Sequence, residues 1–194
     1  MPGRLIEIFD ESKTKVEDRY KKIASCEYQG VTLSSAENLI LRDSAEPVGA
    51  DDALARVIES PSHADSEAKL YTAQAFAEAF KRGLSVQQLK LTTPKEVHTF
   101  GTGKVETFNA KKPTEKHRSY LGYVWSICSV FREAESPSGE RLFGVFSTPE
   151  PGIPSHADVF VIVKLEPAEK LAVQGRFHDF FKLTSLVPKP MLGA

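Results

Sequence analysis

The stretch that decides the fold is SYLGYVWSICSVF, residues 119–131, where apolar and aromatic residues recur at every second position. Successive side chains of a β-strand point to opposite faces of a sheet, so this alternation predicts a long strand. One face would carry Leu121, Tyr123, Trp125, Ile127 and Phe131, and the other Tyr120, Gly122, Val124, Ser126, Cys128 and Val130.

The residues on either side of this stretch also favour strands. SPSG at 136–139 has the proline and the glycine of a type I turn, which predicts that residues 142–147 return antiparallel to the long strand. A β-branched run predicts another strand over 159–165. In residues 97–108, two short apolar runs flank Gly101-Thr102-Gly103, a pattern typical of a β-hairpin. Residues 171–187 fit either a strand or a helix.

The helical signals lie before Pro94. An apolar stripe at helical spacing ends in a basic pair and predicts the strongest helix of the chain over residues 65–82. Asp51 and Asp52 are acidic residues of the kind that begin a helix, and they predict a short helix over residues 51–58. Helices followed by consecutive strands are the pattern of an α+β protein.

The sequence therefore predicts a single α+β domain over residues 1–194. N-terminal helices, in about residues 1–90, would pack on a C-terminal twisted or partly closed antiparallel sheet formed by about residues 95–187. The strongest helix would cover the sheet face that carries Trp125, with Phe76 and Phe80 buried beneath it.

Composition and charge limit the classes of function. The chain has 25 Lys and Arg against 26 Asp and Glu, so no overall field recruits nucleic acid or an anionic membrane. Cys26 and Cys128 are too far apart in sequence, and too few, to predict a disulfide framework or a cysteine zinc site. The sequence shows no leader and no apolar run that could span a bilayer, so we expect a cytoplasmic protein that does not enter the membrane. The motifs of zinc proteases, α/β-hydrolases and P-loop enzymes do not occur, and the sequence does not identify a cofactor.

Four histidines fall in the predicted sheet half. His156 and Asp158 are two residues apart on a predicted strand, so their side chains would share one face. A carboxylate that orients an imidazole is a general acid–base arrangement, and the same spacing can serve a metal ion. His98 or His178 would be the partner that completes a catalytic site.

A cluster of basic residues precedes the long strand, with aromatic residues beside it. A cationic loop next to aromatic rings can bind a phosphate or a single nucleic-acid strand. The ligand-binding residues predicted on this basis are Lys111, Lys112, Lys116, His117, Arg118, Tyr120 and Trp125.

Two functions follow from these features. The first is a non-catalytic ligand- or partner-binding or regulatory protein, with a pocket between helices and sheet and the basic loop at its rim. A small molecule, a nucleic acid or a protein could be the partner. The alternative is a hydrolase or nuclease centred on His156 and Asp158, in which the basic loop holds phosphates.

Overall fold

The structure is a computed structural model that describes residues 7–10, 14–24, 33–38, 46–64, 71–136, 138–182 and 187–188. Its helices are α1 (Arg19–Ala24), α2 (Leu33–Glu37), α3 (Pro94–Asn109), α4 (Cys128–Arg132) and α5 (Pro167–Lys182), with a 3₁₀ segment at Ala73–Phe80. Its strands are β1 (Ala53–Ser60), β2 (Leu84–Gln88), β3 (Ser119–Ile127), β4 (Phe143–Ser147), β5 (His156–Val161) and β6 (Val187–Pro188).

The six strands form one antiparallel sheet in the order β4-β5-β2-β1-β3-β6. This confirms an α+β protein with an antiparallel sheet. The predicted order of elements is wrong, because β1 and β2 precede residue 90 while α3 and α5 follow it. The predicted pairing of residues 142–147 with the long strand is also wrong, since β4 pairs with β5 and β3 pairs with β1.

Helices cover the sheet on both faces. On one face, which we call the α5 face, Leu54 of β1, Val86 of β2 and Val159 of β5 pack beneath the 3₁₀ segment, α4 and α5. Burial of such apolar surface is the main force that holds these layers together. Five fully buried rings lie at the centre of this cover, and we call them the phenylalanine core: Phe76, Phe131, Phe143, Phe177 and Phe181.

The opposite face, the α3 face, has two separate covers. α3 lies over β1 and β3, where its Val97 and Val105 pack against Tyr123. At the other side of the sheet, Ile23 of α1 packs with Phe160 of β5. Because β2 lies between β1 and β5, part of its α3 face falls between the two covers.

The predicted helix over residues 51–58 is in fact β1, the strand between β2 and β3. Residues 54–60 are buried throughout, so the strand lacks the alternation of apolar and polar residues that a half-exposed strand shows. Two of its buried side chains are charged, and each is paired with residues distant in sequence: Arg56 with Glu78, and Glu59 with Lys104. Asp51 and Asp52 therefore precede a strand and do not begin a helix.

The predicted hairpin at residues 97–108 is also wrong, because this segment is the middle of α3. Thr93 and Glu96 form a capping box in which each side chain accepts a hydrogen bond from the other's backbone N–H, and Pro94 begins the helix. These features stabilise the first turn of a helix. They outweigh the two glycines, each of which costs about 1 kcal/mol in a helix.

The two glycines of α3 should respond in opposite ways to replacement by alanine. A Cβ at residue 101 would overlap the buried ring of Tyr120, whereas a Cβ at residue 103 meets nothing within 4 Å. We expect Gly101→Ala to lower the free energy of unfolding by about 1–3 kcal/mol through overpacking. Gly103→Ala should raise it by about 0.5–1 kcal/mol through helix propensity. Urea unfolding followed by circular dichroism measures both, and losses of similar size at the two positions would contradict the helix.

The strongest predicted helix is described only in part, because residues 65–70 lie outside the described residues. Its second half is the 3₁₀ segment, and Phe76 there packs in the phenylalanine core on the face that carries Val124. The prediction that it packs against the Trp125 face is wrong, since Trp125 packs with the α3 cover. The predicted strand over residues 119–131 is too long, because β3 ends at Ile127 and α4 begins at Cys128.

A β-bulge changes which face Tyr120 occupies. Ile58 pairs with Gly122 and Glu59 pairs with Tyr120, so Leu121 is an extra residue in β3. An extra residue reverses the alternation beyond it. Tyr120 therefore packs in the same cluster as Tyr123, although strict alternation places them on opposite faces.

Candidate functional site

A cleft opens on the α3 face beside β2, between the two covers, and we call it the Gln87 cleft. It lies between the N-terminal end of α3 and the loop before β5, and it has a volume of about 560 Å³. This is within the range of about 300–1,000 Å³ found for small-molecule sites. Its lining residues are Gln87, Leu91, Thr92, Thr93, Lys95, Glu96, Thr99, Phe100, Gly152, Ile153, Pro154 and Ser155.

Gln87 is one of two buried polar residues of this lining, the other being Ser155. Its neighbours Val86 and Gln88 point to the α5 face, so Gln87 projects from the α3 face, with 3% of its surface exposed. Among the residues that the structure describes, its side-chain nitrogen has no hydrogen-bond partner. A buried donor without an acceptor costs about 1–3 kcal/mol. This nitrogen has almost no accessible surface, so an acceptor on a ligand would supply the missing bond once the Gln87 amide turns toward the cleft.

The first turn of α3 does not offer a strong site for an anion. The carboxylate of Glu96 accepts hydrogen bonds from the backbone N–H and the hydroxyl of Thr93, and the hydroxyl of Thr93 accepts from the N–H of Glu96. The bond from the Thr93 backbone lowers the pKa of Glu96, so this carboxylate stays ionised at the cleft. Lys95 adds one positive charge to the lining and leaves the rim near neutral.

A polar cluster lies on the same face of β2 and β5, and we call it the Ser85–His156 cluster. Ser85 Oγ lies 2.8 Å from His156 Nε2, and His156 Nδ1 lies 2.7 Å from the carbonyl oxygen of Thr148. The hydroxyl of Thr148 donates to Asp158 Oδ2 at 3.0 Å. β2 and β5 position this group, since Ser85 is the register partner of Asp158, and Gln87 is the partner of His156.

Asp158 is linked to His156 through Thr148. Its carboxylate accepts from the Thr148 hydroxyl, which also lies 3.0 Å from His156 Nδ1. Burial raises the pKa of Asp158, because removal from water disfavours the charged form. The register of β2 and β5 places His156 and Asp158 on one face of the sheet, as their spacing predicts.

The other two predicted catalytic histidines have different partners. His98 Nδ1 lies 2.9 Å from the hydroxyl of Tyr120, and its ring contacts Tyr123. His178 contacts the ring of Tyr71, and its Nδ1 lies 3.9 Å from Asp179. Within the described part of the chain, neither histidine forms a hydrogen bond with His156.

The predicted basic loop lies at the C-terminal end of α3. Lys111, Lys112, Lys116 and His117 are exposed there, while Arg118 pairs with Glu59 at 2.8 Å. The guanidinium of Arg118 also stacks over the ring of Phe108, 3.8 Å from its centroid. The Gln87 cleft is at the other end of the helix, and a helix of 16 residues is about 24 Å long. The loop is therefore not at the rim of this cleft.

Comparison with known proteins adds no assignment. No protein-family model, no curated protein and no solved structure matches this chain. The described residues contain no group of three or more His, Cys, Asp or Glu side chains that could hold a metal ion. None of the described helices is both long enough and apolar enough to cross a bilayer.

Aromatic residues and cysteine complete the account of the predicted sites. Trp125 is partly buried and packs with the α3 cover, and Tyr120 is 7% exposed beside His98. Cys128 is fully buried, and burial raises its pKa to about 12, so it is not a reactive thiolate. Cys26 lies outside the described residues.

Sequence reasoning did not identify Ser85, Gln87 or Thr148. A signal is present in β2, where Ser85 and Gln87 alternate with Leu84 and Val86 in the pattern of a strand with one polar face. No strand was predicted there, because the segment lies near the boundary between the predicted helical part and the predicted β-rich part of the chain. Thr148 gives no comparable signal, because its role depends on how β4 and β5 pair.

Proposed function

We propose that this protein binds a small, neutral molecule in the Gln87 cleft, through a carbonyl or another hydrogen-bond acceptor. The observation that carries the proposal is the buried side-chain nitrogen of Gln87, for which the described residues supply no acceptor. A ligand oxygen that accepts from this nitrogen would form the hydrogen bond that the described residues do not supply. Such a bond contributes about 0.5–1.5 kcal/mol net, and more where the donor is already desolvated.

The shape and lining of the cleft support this class of ligand. Phe100, Leu91, Ile153 and Pro154 provide apolar contacts for the body of a ligand, and the threonines at the start of α3 provide a polar rim. A mostly apolar pocket with a few placed polar groups is the usual form of a small-molecule site.

The charges at the rim support a neutral ligand. The ionised Glu96 repels an anion, and the capping box already uses the hydrogen-bonding groups of the first turn. The positive charge of Lys95 offsets only the negative charge of Glu96. A phosphate or a nucleic acid would therefore find little stabilisation here, in contrast to the predicted basic loop at the far end of α3.

We expect Gln87→Met to weaken ligand binding without weakening the fold. The probes are soluble neutral esters, amides and lactones, measured by ligand-observed NMR and by thermal shift. Loss of the hydrogen bond should weaken binding by about tenfold. Removal of an unpaired buried donor should leave the free energy of unfolding unchanged or raise it by up to about 3 kcal/mol.

Two further variants complete this experiment. Thr99→Trp would fill the cleft from the exposed surface of α3 and should abolish binding. Gln74→Met makes the same chemical change at an exposed position of the 3₁₀ segment and should bind as the original protein does. If the probes do not bind, or if Thr99→Trp binds them unchanged, the proposed site is wrong.

A further inference from the structure

The hydrogen bond between Ser85 and His156 has the geometry of a nucleophile and its base. Ser85 Oγ lies 2.8 Å from His156 Nε2, within the range of about 2.6–3.2 Å required for proton transfer. Ser85 is partly exposed on the α3 face, whereas His156 is 6% exposed. The hydroxyl is therefore the member of the pair that a bound molecule could reach.

The surroundings of His156 fix its orientation and its tautomer. Its Nδ1 lies 2.7 Å from the carbonyl oxygen of Thr148, and a carbonyl oxygen can only accept. The proton of a neutral ring therefore resides on Nδ1, and Nε2 is left with a lone pair directed at Ser85. A backbone carbonyl thus serves here as the third group that orients a catalytic base.

Gln87 connects this pair to the cleft, because it is the residue of β2 in the cleft lining. It is two residues from Ser85 on the same face of β2, about 7 Å away along the backbone, and its register partner is His156. Ser85 and His156 are not themselves in the cleft lining. An ester would therefore have to extend from the cleft along β2 to bring its carbonyl carbon to Ser85 Oγ.

We propose that Ser85 is the nucleophile and His156 the general base of a hydrolase of neutral carboxylic esters, one part of which is bound in the neighbouring Gln87 cleft. The proposal rests on the proposed function, because the cleft would hold the substrate. Nuclease activity is not part of it, since the basic loop lies at the other end of α3.

The reaction balances with water as the co-substrate. Ser85 Oγ attacks the ester carbonyl carbon, its proton passes to His156 Nε2, and the carbonyl oxygen becomes the oxyanion of a tetrahedral intermediate. Collapse breaks the bond to the alkoxide, which takes the proton from His156 and leaves as the alcohol. Water then attacks the acyl-serine with His156 again as base, the carboxylic acid is released, and the Ser85 hydroxyl is restored.

The decisive test is covalent labelling of the complete protein. A fluorophosphonate phosphonylates an activated serine with loss of fluoride, and peptide mass spectrometry locates the adduct. We expect the adduct on Ser85, and we expect p-nitrophenyl butyrate to be hydrolysed with a kcat/KM that falls by about 100-fold or more in Ser85→Ala and in His156→Gln. Ser129→Ala, at a partly buried serine of α4, is the matched control and should keep full activity.

Each result decides between the two proposals. Absence of the adduct at Ser85, or turnover that is equal in Ser85→Ala and the original protein, overturns the hydrolase; labelling of the unaltered protein does not depend on whether a variant folds. If the hydrolase is overturned but Ser85→Ala still binds the ester probes, the proposed binding function stands. An adduct on Ser85 that Thr99→Trp does not slow would support the nucleophile and place its substrate outside the Gln87 cleft.

Discussion

Replacement of Phe177 by alanine is expected to lower the free energy of unfolding by about 3–5 kcal/mol, because the ring lies at the centre of the phenylalanine core. Phe177 is fully buried on α5, with its ring centroid 4.4 Å from that of Phe143 and 5.9 Å from that of Phe76. Its removal would leave a cavity where α5, β4 and the 3₁₀ segment meet. Guanidinium unfolding followed by fluorescence measures the change.

Phe180→Ala is the matched control for this substitution. Phe180 is on the same helix and contacts Phe143 and Phe131, but it is only partly buried at the edge of the phenylalanine core. We expect its loss to be clearly smaller, since less apolar surface becomes exposed and solvent can fill the space. Equal effects at the two positions would show that α5 does not pack as described.

Glu78→Gln is expected to destabilise the fold by about 3 kcal/mol, because it leaves a buried cation without its counter-ion. The guanidinium of Arg56 is 1% exposed, lies 2.7 Å from the Glu78 carboxylate, and also donates to the carbonyls of Ser85 and Ala75. The double variant Arg56→Met with Glu78→Gln should recover most of the loss, since it removes the buried charge as well. No recovery would mean that Glu78 acts independently of Arg56.

The same ion pair predicts how stability depends on pH. Burial acts to raise the pKa of Glu78, but the charge of Arg56 and the hydrogen bond from Arg82 outweigh it and hold the pKa at about 2, against an ordinary value of 4.5. The unfolded chain therefore binds more protons between these two values. The contribution of Glu78 is complete above pH 4.5 and is lost as the pH falls toward 2. Glu78→Gln should show a correspondingly shallower loss of stability over this interval.

The parts of the fold that were predictable are those whose signals are local. The alternation over residues 119–131 predicted β3, which ends at Ile127, and the β-branched run over residues 159–165 indicated β5, which spans His156–Val161. The capping box at the start of α3 was also a local signal, in the spacing of Thr93 and Glu96, but the glycines at 101 and 103 favoured a hairpin instead. A proline at the first helical position was the feature that should have decided between them.

The parts that were not predictable depend on distant partners. β1 contains Arg56 and Glu59, whose charges argue against a buried strand until Glu78 and Lys104 are known to lie beside them. The order of the strands likewise depends on which apolar faces fit together, and no local pattern in the sequence indicates that order.

The candidate site shows the same division. The shared face of His156 and Asp158 followed from strand periodicity alone, and the register of β5 agrees with it. Ser85 is 71 residues from His156 in the chain, and their hydrogen bond exists because β2 pairs with β5. His98 and His178 were assigned by residue type without such a constraint, and α3 and α5 carry them to other partners.

The strand order also bears on how the chain is synthesised. β2 and β1 lie in the middle of the sheet, yet their outer neighbours β5 and β3 begin at residues 156 and 119. A nascent chain that has just completed β2 can form only a two-stranded ribbon, with both edges open and its apolar faces uncovered. Unpaired edges of this kind recruit other chains, so the interval before β3 emerges from the ribosome is when aggregation or chaperone capture would compete with folding.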